Sequence, residues 1–331
     1  MTNRFFEKPI LNSPYNYPSQ HWELDDDGQP TQKIIPKRRS AKFVTPIPKP
    51  KKAKSGKNQQ QLRLDDVRTI STADQRYDPT SVINGVRNQV DAWREIPNPN
   101  DWLVTPETAR LLQYWRHHSF NSIRPFFCQV EAVETAIWLT EVAPKLGAKG
   151  KTFLEHLSDA NAATTSDLMR LALKMATGSG KTTVMAMLIT WQVVNALRRP
   201  TSKNYSRGFL IVTPGLTIRD RLRVLQPNDP DSYYSTRELV PQDMLPDLER
   251  AKIVITNYHS FKLRERIDIS KGGRSLLKGR GEDLNTLETE GQMIQRVMPS
   301  LMGLKNIMVI NDEAHHCYRE KAGEDDIGTL K

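Results

Sequence analysis

One stretch leaves this chain few choices of fold. The apolar run LALKM at 171–175 leads into Ala176, Thr177, Gly178, Ser179, Gly180, Lys181, Thr182 and Thr183, and then into the run VMAMLITWQVVNAL. A short apolar run, a glycine-punctuated turn and a helix-length apolar run read as strand, loop and helix. Glycines bare the backbone N–H groups and a helix start carries partial positive charge, so this order of elements can wrap a polyphosphate. Residues 177–183 would then line the phosphates, with Lys181 reaching the β and γ groups and the Thr182 hydroxyl holding Mg2+. The strict pattern opens with glycine five positions before Gly180, where this chain has Met175. A purely structural glycine turn is the competing reading, and the position between strand and helix argues against it.

The rest of the second half repeats the alternation. GFLIVT at 208–213, AKIVIT at 251–256 and NIMVIN at 306–311 look like buried strands separated by helical or polar segments. Such alternation predicts an α/β fold with a parallel sheet covered by helices on both faces. Upstream, Thr105 followed by Pro106 marks a helix start, with Leu111, Leu112, Tyr114 and Trp115 as its apolar face. A second helix is expected over about 129–141, closed by Pro144, and a polar inserted loop over about 262–302 with helix near its end.

NIMVIN delivers Asp312 and Glu313 at its carboxyl end, the edge where parallel sheets place ligands. Two adjacent carboxylates could divide the chemistry. Asp312 would hold Mg2+, and Glu313 would orient and deprotonate a water attacking the γ phosphate. A plain acidic surface turn is the alternative. Zinc ligation by His315, His316 and Cys317 is disfavoured, because adjacent side chains rarely converge on one metal and no CxxC pair accompanies them.

MATGSGKT and DEAHH resemble motifs I and II of superfamily 2 DEAD/DEAH-type helicases, most closely those of the restriction subunit of type III-like restriction enzymes. Phe126, Phe127, Cys128, Gln129 and Glu131 resemble the adenine-recognition element upstream of motif I, which makes Gln129 the candidate for the base edge and Phe127 for stacking. Thr213, Pro214, Gly215 and Leu216 resemble motif Ia, and Thr256, Asn257, Tyr258 and His259 a later motif that touches the DNA backbone. The opening FFEKPILNSPYNYPSQHWELD resembles the leader of bacterial restriction helicase subunits. The resemblance implies a P-loop NTPase of RecA-like type over 105–331, the first helicase lobe, using ATP and Mg2+. It implies double-stranded DNA as partner and allows a methylation subunit. The family's arginine finger and second lobe lie beyond the acidic turn, so the expectation is an amino-terminal fragment with little turnover of its own. A catalytically inactive DNA- or protein-binding fragment is the alternative, and an unrelated P-loop ATPase a third.

Charge sharpens the picture of residues 1–104, read as a leader with a disordered basic arm. Lysine and arginine total 48 against 38 acidic residues, a net charge of +10. Between Lys33 and Arg63 lie eleven cations and no carboxylate, interleaved with prolines and a glutamine tract. Such a segment cannot bury enough apolar surface to offset chain entropy. Its cations, Lys37, Arg38 and Arg39 among them, would condense on nucleic-acid phosphates, unless the segment is only a solvated linker. Two cysteines, no apolar run of membrane-spanning length and no signal-peptide pattern lead to the expectation of a cytoplasmic protein.

Overall fold

The computed structural model describes residues 7–25, 28–41, 80–162, 168–264 and 287–313. The elements in order are β1 (His21–Leu24), β2 (Pro30–Ile35), α1 (Thr80–Arg94), α2 (Pro106–His117), α3 (Phe127–Ile137), α4 (Ala148–Ala162) and α5 (Lys181–Arg198). They continue with β3 (Gly208–Thr213), α6 (Leu216–Arg221), α7 (Tyr233–Thr236), α8 (Leu245–Leu248), β4 (Lys252–Asn257), α9 (Glu290–Val297) and β5 (Met308–Asn311). The chain forms two compact units: Met1–Val104 with Phe126–Lys174, and Thr105–Pro125 with Met175–Lys331. This division differs from the single boundary expected at residue 105, because α3 groups with the amino-terminal elements.

In the first unit β1 and β2 pair antiparallel, with a register shift between Trp22 and Leu24. Trp22 is buried, as are Val90 and Trp93 of α1, so more of the leader is packed than its composition suggested. Lys33 lies within β2, and the basic arm from residue 42 to 63 falls outside the described residues. The second expected helix is α3, which starts at Phe127, passes into a π-helical turn over Trp138–Val142 and ends in a short 3-10 turn over Ala143–Lys145 that contains Pro144. Gly150 of α4 sits so close to Ala143 that a Cβ there would lie 1.8 Å from the Ala143 carbonyl oxygen.

The strand expected at 171–175 does not form. Those residues pair with no described strand, and Leu168, Met169 and Leu171 are exposed. An apolar run becomes a strand only where a neighbour offers backbone partners and cover, and none of the described strands pairs with this one.

The second unit holds that sheet, three parallel strands in the order β4-β3-β5. All six residues of β3 are buried, as its unbroken GFLIVT run requires of a strand covered on both faces. β5 lies at an edge and alternates between half-buried and exposed positions. Leu210, Val212 and Leu301 form one core cluster, joined by Val254, Phe261, Met298, Leu304 and Ile307. The polar insertion carries α9 near its end, closed at its start by Thr289, whose hydroxyl accepts the Gln292 N–H. Residues 265–286 of it lie outside the described residues.

α5 is buried on every side from Thr183 to Asn195, so its polar members need internal partners. Asn195 finds them. Its side-chain amide donates to the Thr108 hydroxyl at 3.0 Å and the Trp191 carbonyl at 2.8 Å, and Trp191 Nε1 donates to the same hydroxyl at 3.1 Å. Thr108 belongs to α2, whose expected start is present: the Thr105 hydroxyl accepts the Thr108 N–H at 3.0 Å, with Pro106 as first helical residue. Among the described residues no helix is long and apolar enough to cross a membrane.

Candidate nucleotide site

The second unit gathers its candidate groups at one edge of the sheet. Register pairs Thr213 with Asn257 and Val212 with Asn311, so the carboxyl ends of β3, β4 and β5 finish together. The Asp312 N–H donates to the Val212 carbonyl at 3.0 Å, extending the ladder one residue into the acidic turn.

The glycine turn approaches from α5. Gly178 and Gly180 take φ of +80° and +79°, a left-handed backbone that a side chain would strain. The Ser179 N–H and hydroxyl both donate to the Ala176 carbonyl, at 3.2 and 2.6 Å, closing the turn. Gly180 is the N-cap of α5 and brings no capping side chain, so the first-turn N–H groups lack the usual side-chain acceptor. That leaves a helix start suited to an anion.

Lys181, first residue of α5, reaches the acidic turn and donates from Nζ to Glu313 Oε1 at 2.5 Å. Both side chains are 30% exposed, so the pair is partly screened. Glu313 itself sits at φ +53°, an uncommon conformation for a residue with a Cβ, costing of order 1 kcal/mol and typical of functional turns. Burial raises the Asp312 carboxyl above its ordinary value, Glu313 pushes the same way, and Lys181 and Arg221 oppose. The donors fit a magnesium-bound polyphosphate: hard hydroxyl and carboxylate oxygens for the ion, and an ammonium with a positive helix end for the anion. His315, His316 and Cys317 lie outside the described residues.

The adenine candidates belong to the first unit. Gln129 is buried, and its Oε1 accepts the Phe126 N–H at 2.9 Å, which commits that oxygen to the start of α3. Phe127 has the Arg94 and Arg38 guanidinium carbons 5.0 and 5.8 Å from its ring centre, and Tyr17 edge-on at 5.4 Å. Its ring is half-buried against its own unit.

The DNA candidates divide in the same way. Lys37 and Arg39 are exposed. Arg38 is not presented with them: its guanidinium grips Glu131 through two bonds, at 2.6 and 2.5 Å. Beside it Arg94 bonds Glu134 at 2.6 and 2.8 Å and Asp91 at 2.6 Å, while the Tyr17 hydroxyl donates to Asp91 at 2.8 Å. Thr213 is buried, and its hydroxyl donates to the Gly215 carbonyl at 3.0 Å. Asn257 caps the turn after β4 by accepting the Ser260 N–H at 3.0 Å. Pro214, Gly215 and Thr256 stand at the same edge of the sheet.

Two cations near this site carry no signal in the sequence. Arg221 ends α6 close enough to influence Asp312, and Arg237 contacts the first turn of α5. Neither stands in a motif, so no local signal could have drawn attention to it.

The family described as "Type III restriction enzyme, res subunit" matches the chain over residues 122–327. No curated protein and no solved structure matches it.

Proposed function

This chain belongs to the family of type III restriction enzyme res subunits, and from that premise we propose that its second unit binds Mg2+-ATP as the first lobe of a DNA-directed helicase or translocase. The observation that carries the reading is the meeting of Lys181, at the start of α5, with Glu313, at the end of the sheet. Residues 132 positions apart supply an ammonium, carboxylates and a bare helix start within one small region.

In this reading the glycine turn and the α5 N–H groups bind the phosphates, and Lys181 leaves Glu313 to pair with the β and γ groups. Thr182 and Asp312 would hold Mg2+, which when bound neutralises charge across the phosphates. Glu313, released from Lys181, then orients and deprotonates the attacking water. By resemblance to the family's upstream element, Gln129 and Phe127 serve the adenine.

DNA, double-stranded, would run across the carboxyl edge of the sheet at Thr213–Gly215 and Thr256–Asn257, with Lys37 and Arg39 on its phosphates. A modification subunit and a cytoplasmic setting complete the proposal. Lys181→Ala tests it. Losing a charge-assisted contact should weaken ATP binding by about 10- to 150-fold. Unchanged affinity by calorimetry on the folded variant would sink the assignment.

A further inference from the structure

Arg237 follows α7 in the second unit and contacts the nucleotide turn from a part of the chain that carries no motif. Its Nη1 donates to the Thr183 hydroxyl at 3.1 Å, and its Nη2 donates to the Tyr233 hydroxyl at 3.0 Å. The guanidinium carbon lies 3.8 Å from the centre of the Tyr233 ring, a stacked contact in which the aromatic face holds the fork in plane. Among the described residues no carboxylate lies within ion-pair distance of Arg237. A half-buried arginine usually answers a carboxylate, as Arg38 and Arg94 do in the first unit; this one answers a hydroxyl.

The hydroxyl it chooses is decisive. Thr183 is 2% exposed and stands two residues after Lys181, in the first turn of α5. Its N–H is closed onto the Gly180 carbonyl at 3.0 Å, so the side chain is its route to the surrounding structure. α5 has no side-chain cap, and an uncapped first turn frays unless something outside the helix fixes it.

The backbone that presents Arg237 is itself constrained. Glu238, the next residue, has φ +50°, in the left-handed region where a glutamate is strained. Its carboxylate is held by the Asn121 N–H and side-chain amide at 2.8 and 2.9 Å. Leu239 is tied in turn by its N–H to the Tyr234 carbonyl at 3.1 Å, and by its own carbonyl, which accepts from Trp115 Nε1 at 2.8 Å. Arg237 therefore leaves directly from a strained turn that is held from several sides.

We propose that Arg237 is a positioning residue for the phosphate turn: by clamping Thr183 it fixes the first turn of α5 and thereby the direction in which Lys181 and Thr182 face a nucleoside polyphosphate. This rests on the nucleotide reading of the site and adds a residue to it. Arg237 acts through Thr183 and touches no reacting atom.

The test is a double-mutant cycle on the full chain, with Mg2+-ADP as probe and affinity read by calorimetry. Arg237→Gln and Thr183→Val should each weaken ADP by about tenfold, the cost of re-ordering the first turn of α5 when the nucleotide binds. Because both break one contact, the double variant should be no weaker than the weaker single. Arg237→Lys, which keeps charge and lacks the fork, should not restore affinity. The amide resonances of Lys181 and Thr182 should shift in Arg237→Gln without ADP, a signature that a remote packing role would not produce. Wild-type affinity in folded Arg237→Gln overturns the proposal, and so does a double variant weakened about a hundredfold. If Arg237→Gln fails to fold, Thr183→Val decides alone, wild-type affinity there being equally fatal. Loss of binding in Lys181→Ala with intact binding in Arg237→Gln refutes Arg237 and spares the nucleotide site, whereas no binding by the unsubstituted chain refutes both.

Discussion

Replacing Glu313 by glutamine should tighten nucleotide binding, although the residue is proposed to serve hydrolysis. Lys181 is paired with Glu313 at 2.5 Å, and a phosphate must take that ammonium away. Both side chains are 30% exposed, which places the pair near the upper end of screened surface pairs, at about 1 kcal/mol. Glutamine has the same shape and bears the same strain at φ +53°, so the strain cancels and only the charge differs. Its amide oxygen still accepts from Lys181, but weakly. Removing a carboxylate beside the phosphate path acts in the same direction. A gain of about 1 kcal/mol corresponds to roughly fivefold tighter binding. The measurement is ADP titration of wild type and Glu313→Gln in EDTA, where no divalent ion masks the carboxylate. Affinity within twofold of wild type, or weaker, would show that Lys181 is not held back by Glu313 and that their pairing has no bearing on the site.

Arg38→Gln should cost about 3 kcal/mol in denaturant unfolding, because it leaves the half-buried Glu131 carboxylate without its bidentate partner, and DNA affinity should not change. Exchanging the exposed Lys37 and Arg39 for glutamine should do the reverse: stability within about 0.5 kcal/mol of wild type and a shallower salt dependence of DNA binding. A loss of DNA affinity specific to Arg38→Gln would contradict the placement of its guanidinium. Gly150→Ala should destabilise by about 3 kcal/mol, since its Cβ would meet a backbone carbonyl at 1.8 Å, and a variant as stable as wild type in urea would refute that close approach.

Much of the second unit was legible in its sequence because the information there is local. GFLIVT, AKIVIT and NIMVIN each carry their burial in their own composition, and β3, β4 and β5 follow them within a residue or two. Thr105 with Pro106 announced α2 by cap chemistry alone, and Gly178 and Gly180 announced a turn that only their backbone freedom permits. The family, too, was recognisable from motifs whose spacing is written along the chain. In residues 1–104 the composition pointed away from a packed unit, yet Val86, Val90 and Trp93 recur at helical spacing in α1, and Trp22 is buried with no such run around it.

What the tertiary structure alone decided are the partners. LALKM looks like a strand, yet nothing in five residues tells whether a neighbouring strand will pair with them, and here none of the described strands does. Arg38, Lys37 and Arg39 are equivalent as adjacent cations; Glu131, 93 positions away, and Asp91 separate the half-buried one from the exposed two. The same holds for Lys181 with Glu313 and for Arg237 with Thr183, residues 132 and 54 positions apart. Propensity, capping and glycine geometry act over a few residues and so can be read in one dimension, whereas charge pairing and side-chain clamps depend on where the folded chain returns.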